Sequence, residues 1–411
     1  MNPVQAAADP ASQGATDPGG EQRPVTGGRL GGSKLLQGSI SFIAFLVVFL
    51  IYVIWLGDKF TSTEARALDI HQNAPVLLLG LAVLVTLIAG QFDLSVGSMA
   101  TLTCFLAVGL KVNQGWPFAL VLVACIVAGL LGGLANGFLV VRMGVNTFIA
   151  TLGTGGVFLG LSAVYSSGTQ VVATAGKPQL PSWFAGTGSL GSLSTKFPAV
   201  LLWIGLAGAA VMLFLSVRRM RPPRFAERQW DAISAGAIVV LAAILFVLGL
   251  SSWVNAVSWT IAVLLIAALV MWLLLDHTTF GRYLRATGSN STAATLAGVN
   301  PGKETMKAFV IGGLLAAIAG ILLAANQGDA SPNAAVSFLL PAFAAAFLST
   351  VILSTGRFHV WGTVIGGIFL VWVSQGLIVG GLPFTWTEVV NGVVLILAVA
   401  FSSVFQARRK A

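Results

Sequence analysis

Charged side chains are scarce inside the apolar runs of this chain, and the few that occur there are the first candidates for chemistry. Asp93 stands between two such runs, in the segment Gly90-Gln-Phe-Asp-Leu-Ser-Val-Gly97. A carboxylate at the centre of a bilayer costs about 2.5–3.5 kcal/mol, so it should face a cavity or a polar partner. Asp93 is therefore predicted to belong either to a polar cluster at a broken helix beside a solute path or to a simple helix connector. Glu388 opens the last apolar run, where negative charge near a helix N-terminus is favourable.

Uncharged amides and hydroxyls inside the apolar runs suit the passage of a neutral polyol. They can exchange hydrogen bonds with sugar hydroxyls without trapping the sugar, although each could equally bond a neighbouring helix for about 0.6 kcal/mol. Besides Asp93, the predicted translocation-path residues are Asn136, Asn146, Thr147, Thr151, Asn326 and Gln375, with Thr154, Gln327 and Asn391 as weaker candidates.

Sequence patterns for catalysis, metal binding and nucleotide binding are absent. Gly-x-Ser-x-Gly does not occur, and His71, His277 and His359 have no carboxylate or cysteine at ligand spacing. Residues 298–304 resemble a phosphate-binding loop, but the spacing is one residue short and Glu304 replaces the hydroxyl that would hold magnesium. The chain is predicted to be no enzyme and to hold no metal or cofactor of its own.

The elements that must position these residues are membrane-spanning helices. Only 9% of the residues are charged and 56% are hydrophobic, whereas soluble domains carry about 25% charged residues. Apolar runs long enough to cross a bilayer recur along the chain, which predicts an all-α, polytopic helical membrane protein. About twelve spans are expected, at 37–57, 75–90, 94–112, 118–141, 147–166, 198–217, 232–250, 257–275, 306–326, 338–355, 360–380 and 387–404.

Positive charge predicts the orientation of these spans. Five of the 22 Lys and Arg residues fall on one face and the other seventeen on the opposite face. Because short cytoplasmic loops are rich in Lys and Arg, both termini and the 276–305 loop are predicted to be cytoplasmic. The net charge of +9 thus reflects orientation and does not indicate nucleic-acid binding. Residues 1–36 are predicted to form a disordered cytoplasmic tail, 37–405 the transmembrane domain and 406–411 a basic cytoplasmic tail.

A polar, partly basic insert at 276–304 is longer than a turn between two helices requires. Its length is sufficient to fold into a docking element for a partner outside the lipid. Residues 291–296 are predicted to form a short helix with a Ser or Thr N-cap, ended by Gly298.

Five motifs stand in an order that resembles the permease subunits of ribose/xylose-type ABC sugar importers, a group within the larger family that includes branched-chain amino-acid permeases. The motifs are Gly90–Gly97, Asn146-Thr-Phe-Ile-Ala-Thr-Leu-Gly153, Thr279-Phe-Gly-Arg-Tyr-Leu-Arg-Ala-Thr-Gly288, Ala293-Ala-Thr-Leu-Ala-Gly-Val299 and Ala330-Ser-Pro-Asn333. The resemblance covers roughly residues 40–405. An additional pair of spans around 198–250 resembles xylose-type permeases, whereas 348–359 departs from the family's Gly-Gly-Thr-Ser-like turn, so no function is carried over there.

The resemblance implies a permease of the bacterial cytoplasmic membrane, paired with a second permease copy as a homodimer or heterodimer. It would receive a pentose-like monosaccharide from an extracytoplasmic sugar-binding protein and be driven by a cytoplasmic ABC ATPase subunit that binds ATP and Mg²⁺. The family's coupling loop to that ATPase matches this chain at Asn290, Ala293, Ala294, Leu296, Gly298 and Val299.

Two alternatives stay open from the sequence. The same machinery could carry a nucleoside, a polyol or a branched-chain amino acid. The second alternative is an ion-coupled secondary transporter, which would need ionisable groups at membrane depth. Only Asp93 and, marginally, Glu388 meet that requirement.

Overall fold

The computed structural model describes residues 47–174, 176–188, 203, 256–352 and 356–410. Helices make up most of this part of the chain. In order they are α1 Val47–Leu56, α2 Asp58–Thr61, α3 Thr63–Ile88, α4 Val96–Val112, α5 Phe118–Gly137 (continued by a π-helical turn, Phe138–Arg142), α6 Thr147–Ser166, α7 Ser182–Gly188, α8 Trp259–His277, α9 Thr279–Ser289, α10 Ser291–Leu296, α11 Pro301–Gln327, α12 Leu339–Ile352, α13 Val360–Val379 and α14 Trp386–Lys410.

Six of the described helices are long and apolar enough to cross a membrane, namely α3, α5 with its π turn, α6, α8, α11 and α13. α1, α4, α12 and the first half of α14 are also apolar but shorter. The predicted spans at 198–217 and 232–250, and the predicted tail at 1–36, lie outside the described residues. The total of twelve spans and the side of each terminus therefore stay predictions.

The helix α3 begins at Thr63, well before residue 75, where the sequence predicted its span to start. Its first turns are polar. Its early residues look like a loop in the sequence because they are polar, but they find partners inside the protein. Arg66 forms an ion pair with Asp69 at 3.0 Å between Nη1 and Oδ2, and His71 Nδ1 lies 2.6 Å from the hydroxyl of Ser258. Because these groups are partnered, the helix continues through the polar segment.

The centre of the bundle is α11, which packs against α3, α4 and α5. Gly129 and Gly133 of α5 allow this approach, because a Cβ at Gly129 would come within 2.5 Å of the Gly313 carbonyl oxygen and one at Gly133 would overlap the Phe309 carbonyl. α5 and α6 also direct large apolar side chains outward, including Val164, which is 81% exposed. Such a surface suits lipid or another subunit.

A second group of helices, α12, α13 and α14, packs together and against α3. At one end of the bundle, strands β1 (Val171–Val172) and β2 (Asp329–Ala330) pair antiparallel, with Val171 opposite Ala330. Gln170 adds a hydrogen bond of 2.6 Å from its Nε2 to Asp329 Oδ2. The segments that follow α6 and α11 are therefore joined at the same end.

Candidate functional site

The turn between α3 and α4 buries a carboxylate. Gly90, just after α3, has a φ of 76°, a backbone conformation that favours glycine. Asp93 follows within the turn and is 1% exposed. Its Oδ1 accepts hydrogen bonds from the backbone nitrogen of Ser95 at 2.9 Å and from the Ser95 hydroxyl at 2.6 Å. The broken helix thus supplies two of the donors that a buried carboxylate requires.

Asn136 of α5 connects this turn to α6. Its Nδ2 donates to Ser95 Oγ at 2.7 Å and lies 3.4 Å from Asp93 Oδ1, while its Oδ1 accepts from the hydroxyl of Thr154 at 2.5 Å. Among the described residues, no salt bridge reaches Asp93. The carboxyl group is therefore bound by neutral donors from the turn and α5, and the network extends to α6.

Two threonines extend this network along α6. The Thr147 hydroxyl donates to the side-chain oxygen of Gln91, and Thr151, which is fully buried, donates to the Thr147 carbonyl at 2.8 Å. Four predicted path residues and the weaker candidate Thr154 thus lie together. We define the polar cluster as Gln91, Asp93, Ser95, Asn136, Thr147, Thr151 and Thr154. Gln91 and Ser95 were not predicted, although both lie within the Gly90–Gly97 motif and its spacing could have indicated them.

The other predicted path residues lie outside the polar cluster. Asn146 caps α6, because its side chain accepts a backbone N–H of the first turn at 3.0 Å. Asn326, near the end of α11, donates to the carbonyl oxygens of His71 and Gln72, each at 3.3 Å. Gln375 lines a separate cavity between α3, α12, α13 and α14. The path residues that the sequence predicted as one set therefore occupy the polar cluster and three further places.

The polar insert forms two helices, α9 and α10. The N-cap of α10 is Asn290, whose Oδ1 accepts from the Ala293 nitrogen at 2.9 Å, so the expected Ser or Thr cap is wrong. Asparagine is as good a cap as serine, and the helix itself begins at Ser291 as predicted. Gly298 ends the segment with a φ of 81°, as expected.

α10 presents an apolar side chain to its surroundings. Leu296 is 85% exposed, whereas Ala294 is 4% exposed and faces inward. The Val299 nitrogen donates to the Ala294 carbonyl at 3.0 Å and closes the segment. The result is a short, capped helix whose exposed leucine is available to a partner.

α9 is held tightly between α8 and α3. A Cβ at Gly281 would overlap the carbonyl oxygen of Leu275 in α8, and one at Gly288 would overlap that of Ile88 in α3. Arg285 also forms an ion pair with Asp276 at the end of α8. Because α10 follows α9 directly, α9 connects α10 to the turn that holds the polar cluster.

A cavity of about 620 Å³ lies between α9, α10, the start of α11 and the turn after α3. Gln91 lines it and also bonds Thr147, so the polar cluster adjoins the cavity. In the part of the chain that the structure describes, no three His, Cys, Asp or Glu side chains are placed to share a metal ion. The cavity and the cluster present hydroxyl and amide groups.

Comparison with known proteins identifies the family. Residues 70–399 match the model described as branched-chain amino acid transport system / permease component. The chain belongs to this permease family. This permease is 30% identical over 393 residues to the xylose transport system permease protein XylH of Escherichia coli (strain K12), covering 94% of this chain and 96% of that protein.

More distant relatives cover nearly as much of this permease. The fructose import permease protein FrcC of Rhizobium meliloti is 26% identical, over 88% of this chain and 82% of that protein. The autoinducer 2 import system permease protein LsrC of Escherichia coli O157:H7 is also 26% identical, over 90% of this chain and 88% of that protein. No solved structure matches. The resemblance seen in the sequence motifs is confirmed, and the chain is a multi-pass helical membrane protein of a transport permease family.

Proposed function

We propose that this permease is the membrane subunit of an ATP-driven importer for a pentose-like monosaccharide delivered by an extracytoplasmic binding protein. The observation that carries the proposal is the similarity to a xylose permease along almost the whole of both chains. A relative named for fructose import supports a monosaccharide as the solute class. The membrane is the bacterial cytoplasmic membrane, crossed by twelve spans with both termini inside.

The chemistry of the polar cluster supports an uncharged, hydroxyl-rich solute. Six of its seven members carry amide or hydroxyl groups, and the remaining one, Asp93, is already bound by Ser95 and close to Asn136. The cluster therefore carries no free cation that would retain an anion. Sugar hydroxyls can replace the hydrogen bonds within the cluster one for one. The free energy of the solute therefore changes little along the path.

The ATPase subunit binds at α10 in this proposal. Leu296 supplies an apolar anchor, and Asn290 and Gly298 keep the helix rigid at its two ends. α9 carries the motion of α10 to the polar cluster through its contact with Ile88. The outward apolar faces of α5 and α6 are left for lipid and for the second permease copy.

Uptake by reconstituted vesicles tests the proposal. The permease is combined with its ATPase and binding protein in vesicles with a constant internal ATP supply, and entry of radiolabelled D-xylose is followed. Uptake should require an intact ATPase and be indifferent to a proton uncoupler. Uptake that persists with a catalytically dead ATPase, or that collapses with the uncoupler, would show a secondary transporter instead.

A branched-chain amino acid is the second candidate solute, because the matching family model is described by that class. The same vesicles loaded with ATP distinguish the two solutes when L-leucine replaces D-xylose. Leucine uptake without xylose uptake would replace the sugar in the proposal but leave the ATP-driven mechanism in place.

A further inference from the structure

Three segments bring charged side chains together where α8 ends and α13 begins. Asp276 and His277 end α8, Arg285 lies on α9, and Arg357 and His359 precede α13. Arg285 forms an ion pair with Asp276. Burial lowers the pKa of His359, and the charges of Asp276, Arg285 and Arg357 also act on it. The three segments therefore meet at one place, and we call Asp276, Arg285, Arg357 and His359 the interfacial cluster.

Positive charge is in excess at the interfacial cluster. Asp276 is the only acidic residue in the segments 256–303 and 356–387, and Arg285 already pairs with it. Arg357 is exposed and forms no ion pair with any residue that the structure describes. Arg282, which lies one turn before Arg285 on α9, is exposed as well. The cluster therefore retains guanidinium groups that an anion can bind.

An apolar surface on α8 leads up to the cluster. Ile266, Leu269 and Leu273 are exposed at helical spacing, and His277 continues the same face. The eleven residues from Ile266 to His277 correspond to roughly 16 Å of helix at 1.5 Å per residue. One leaflet is about half of a hydrocarbon core that measures about 30 Å. The exposed face of α8 is therefore about one leaflet deep.

α13 lies beside α8 and adds a second outward surface. The two helices are in contact, and Trp361, Ile365 and Ile368 lie at helical spacing on a face of α13 that is exposed or half-buried. Trp272 of α8 packs edge-on against His277, with 4.5 Å between the ring centroids. Tryptophan is enriched at the level of lipid headgroups. The cluster therefore lies where α8 and α13 reach the headgroup region, with apolar side chains beside it.

These charged and apolar features together match the chemistry of an anionic phospholipid. A guanidinium group binds phosphate oxygens in pairs through its fork of N–H groups, and acyl chains cover exposed apolar helix surface. A free phosphate ion would leave the apolar faces of α8 and α13 uncovered. A headgroup with an amine would bring another cation close to Arg357, which is electrostatically unfavourable. A phosphate without an amine, attached to acyl chains, satisfies both features.

Membrane orientation alone does not account for this arrangement. Lys and Arg are abundant in cytoplasmic loops in general, but orientation requires only that they lie on the correct side of the membrane. Arg285 and Arg357 are 72 positions apart in the chain and still act on the same imidazole. Basic pockets between transmembrane helices are a known kind of site for anionic lipid headgroups. The convergence of the arginines is therefore better explained by a shared anionic ligand.

We infer that the interfacial cluster binds one anionic phospholipid, of the phosphatidylglycerol type, whose phosphate contacts Arg357 and Arg285 and whose acyl chains lie along α8 and α13. The assignment of this lipid to the cytoplasmic leaflet rests on the proposed function, whereas the site itself does not. Because Arg285 belongs to α9, the bound lipid connects the segment that carries α10 to α13.

Native mass spectrometry of the full chain in detergent tests the inference. The probes are phosphatidylglycerol and phosphatidylcholine with identical acyl chains, each titrated into the permease without ATPase or sugar. The wild type should bind phosphatidylglycerol more tightly. Arg357→Gln should weaken phosphatidylglycerol binding about fivefold, which corresponds to about 1 kcal/mol for one basic residue at a membrane surface. Binding of phosphatidylcholine should stay the same in this variant.

Asp276→Asn should have the opposite effect. Loss of the carboxylate frees Arg285, so phosphatidylglycerol should bind about fivefold more tightly than to the wild type. A damaged fold would not produce this gain. Arg142→Gln is the matched control, because Arg142 is exposed at the end of another span and lies outside the cluster. It is at the same end of the bundle, since Val141 and Gly288 line one cavity, and its variant should bind lipid like the wild type.

Four results would each overturn the inference. The first is equal affinity of the wild type for the two lipids, and the second is an equal loss in Arg357→Gln and Arg142→Gln, which would indicate general surface charge. The third is full displacement of the lipid by millimolar inorganic phosphate, which would indicate a site for a free anion. The fourth is loss of ATPase co-purification in Arg357→Gln with unchanged lipid binding, which would assign the cluster to the ATPase. Lipid binding is measured without transport, so vesicle uptake tests the proposed function separately.

Discussion

Gly288 at the end of α9 packs directly against the carbonyl group of Ile88, the last residue of α3. A Cβ at position 288 would overlap that oxygen and would lie 3.0 Å from the backbone nitrogen of Gly90. The partner is backbone rather than a flexible side chain, so it cannot move aside. This contact joins the segment that carries α10 to the turn that carries Asp93.

Gly288→Ala should impair transport by forcing α9 away from α3. Overpacking of this kind typically costs about 1–3 kcal/mol, so the unfolding midpoint should fall and ATP-driven uptake should fall with it. Gly153→Ala is the matched control, because a Cβ there meets nothing within 4 Å. Equal uptake by the two variants would contradict a mechanical role for the Gly288 contact.

Asp93→Asn should destabilise the turn between α3 and α4. An amide keeps one acceptor but places an N–H₂ group among the donors of Ser95 and Asn136, so about 1.5–3 kcal/mol should be lost. Thr154→Val removes a neutral hydroxyl at the edge of the cluster, which donates to Asn136 Oδ1 and lies 3.2 Å from the Thr151 carbonyl oxygen, and should cost about 1 kcal/mol. Thermal unfolding in detergent compares them, and a greater loss for the threonine variant would refute this ranking.

Leu296→Asp should weaken binding of the ATPase subunit while leaving the permease folded. The side chain is 85% exposed, so stability should change by less than about 0.5 kcal/mol. Co-purification with the ATPase should fall about tenfold or more, as for a central apolar anchor. Val336→Asp, at an exposed apolar position outside α9 and α10, should leave co-purification unchanged. Wild-type recovery of the ATPase with Leu296→Asp would remove α10 as the docking site.

Stability should depend on pH through His359. Burial lowers the pKa of this imidazole; nearby Asp276 opposes the shift, and Arg285 and Arg357 reinforce it. Because the folded state favours the neutral ring, this contribution is full above the ordinary value of 6.5 and is lost as pH falls toward the lowered pKa. The slope cannot exceed about 1.4 kcal/mol per pH unit for one group.

Unfolding midpoints between pH 5 and pH 8 measure this dependence. His359→Gln, which cannot take up a proton, should flatten the profile below pH 6.5. An unchanged slope in that variant would assign the dependence to other groups.

The apolar spans could be predicted from the sequence because hydrophobicity is a local property. The helices at Thr147–Ser166 and Val360–Val379 follow their predicted bounds within a residue. The bounds of α10 were equally predictable, since Gly298 ends the segment locally, although the cap is Asn290 and not the expected Ser or Thr. The start of α3 was not, because its polar residues are stabilised by Ser258 and Asn326, which are distant in the chain.

The functional groupings depend on contacts across the chain. The polar types of Asp93, Asn136 and Thr154 are visible in the sequence, but only the packing of α5 and α6 on the turn brings them into one network. The sequence indicates that Glu388 is a favourable charge at a helix start. The tertiary structure places it in a cavity with Gln375. The sequence by itself determined the membrane class, the spans that local hydrophobicity marks and the family. The tertiary structure decided which polar groups meet, because that depends on how helices distant in sequence pack side by side.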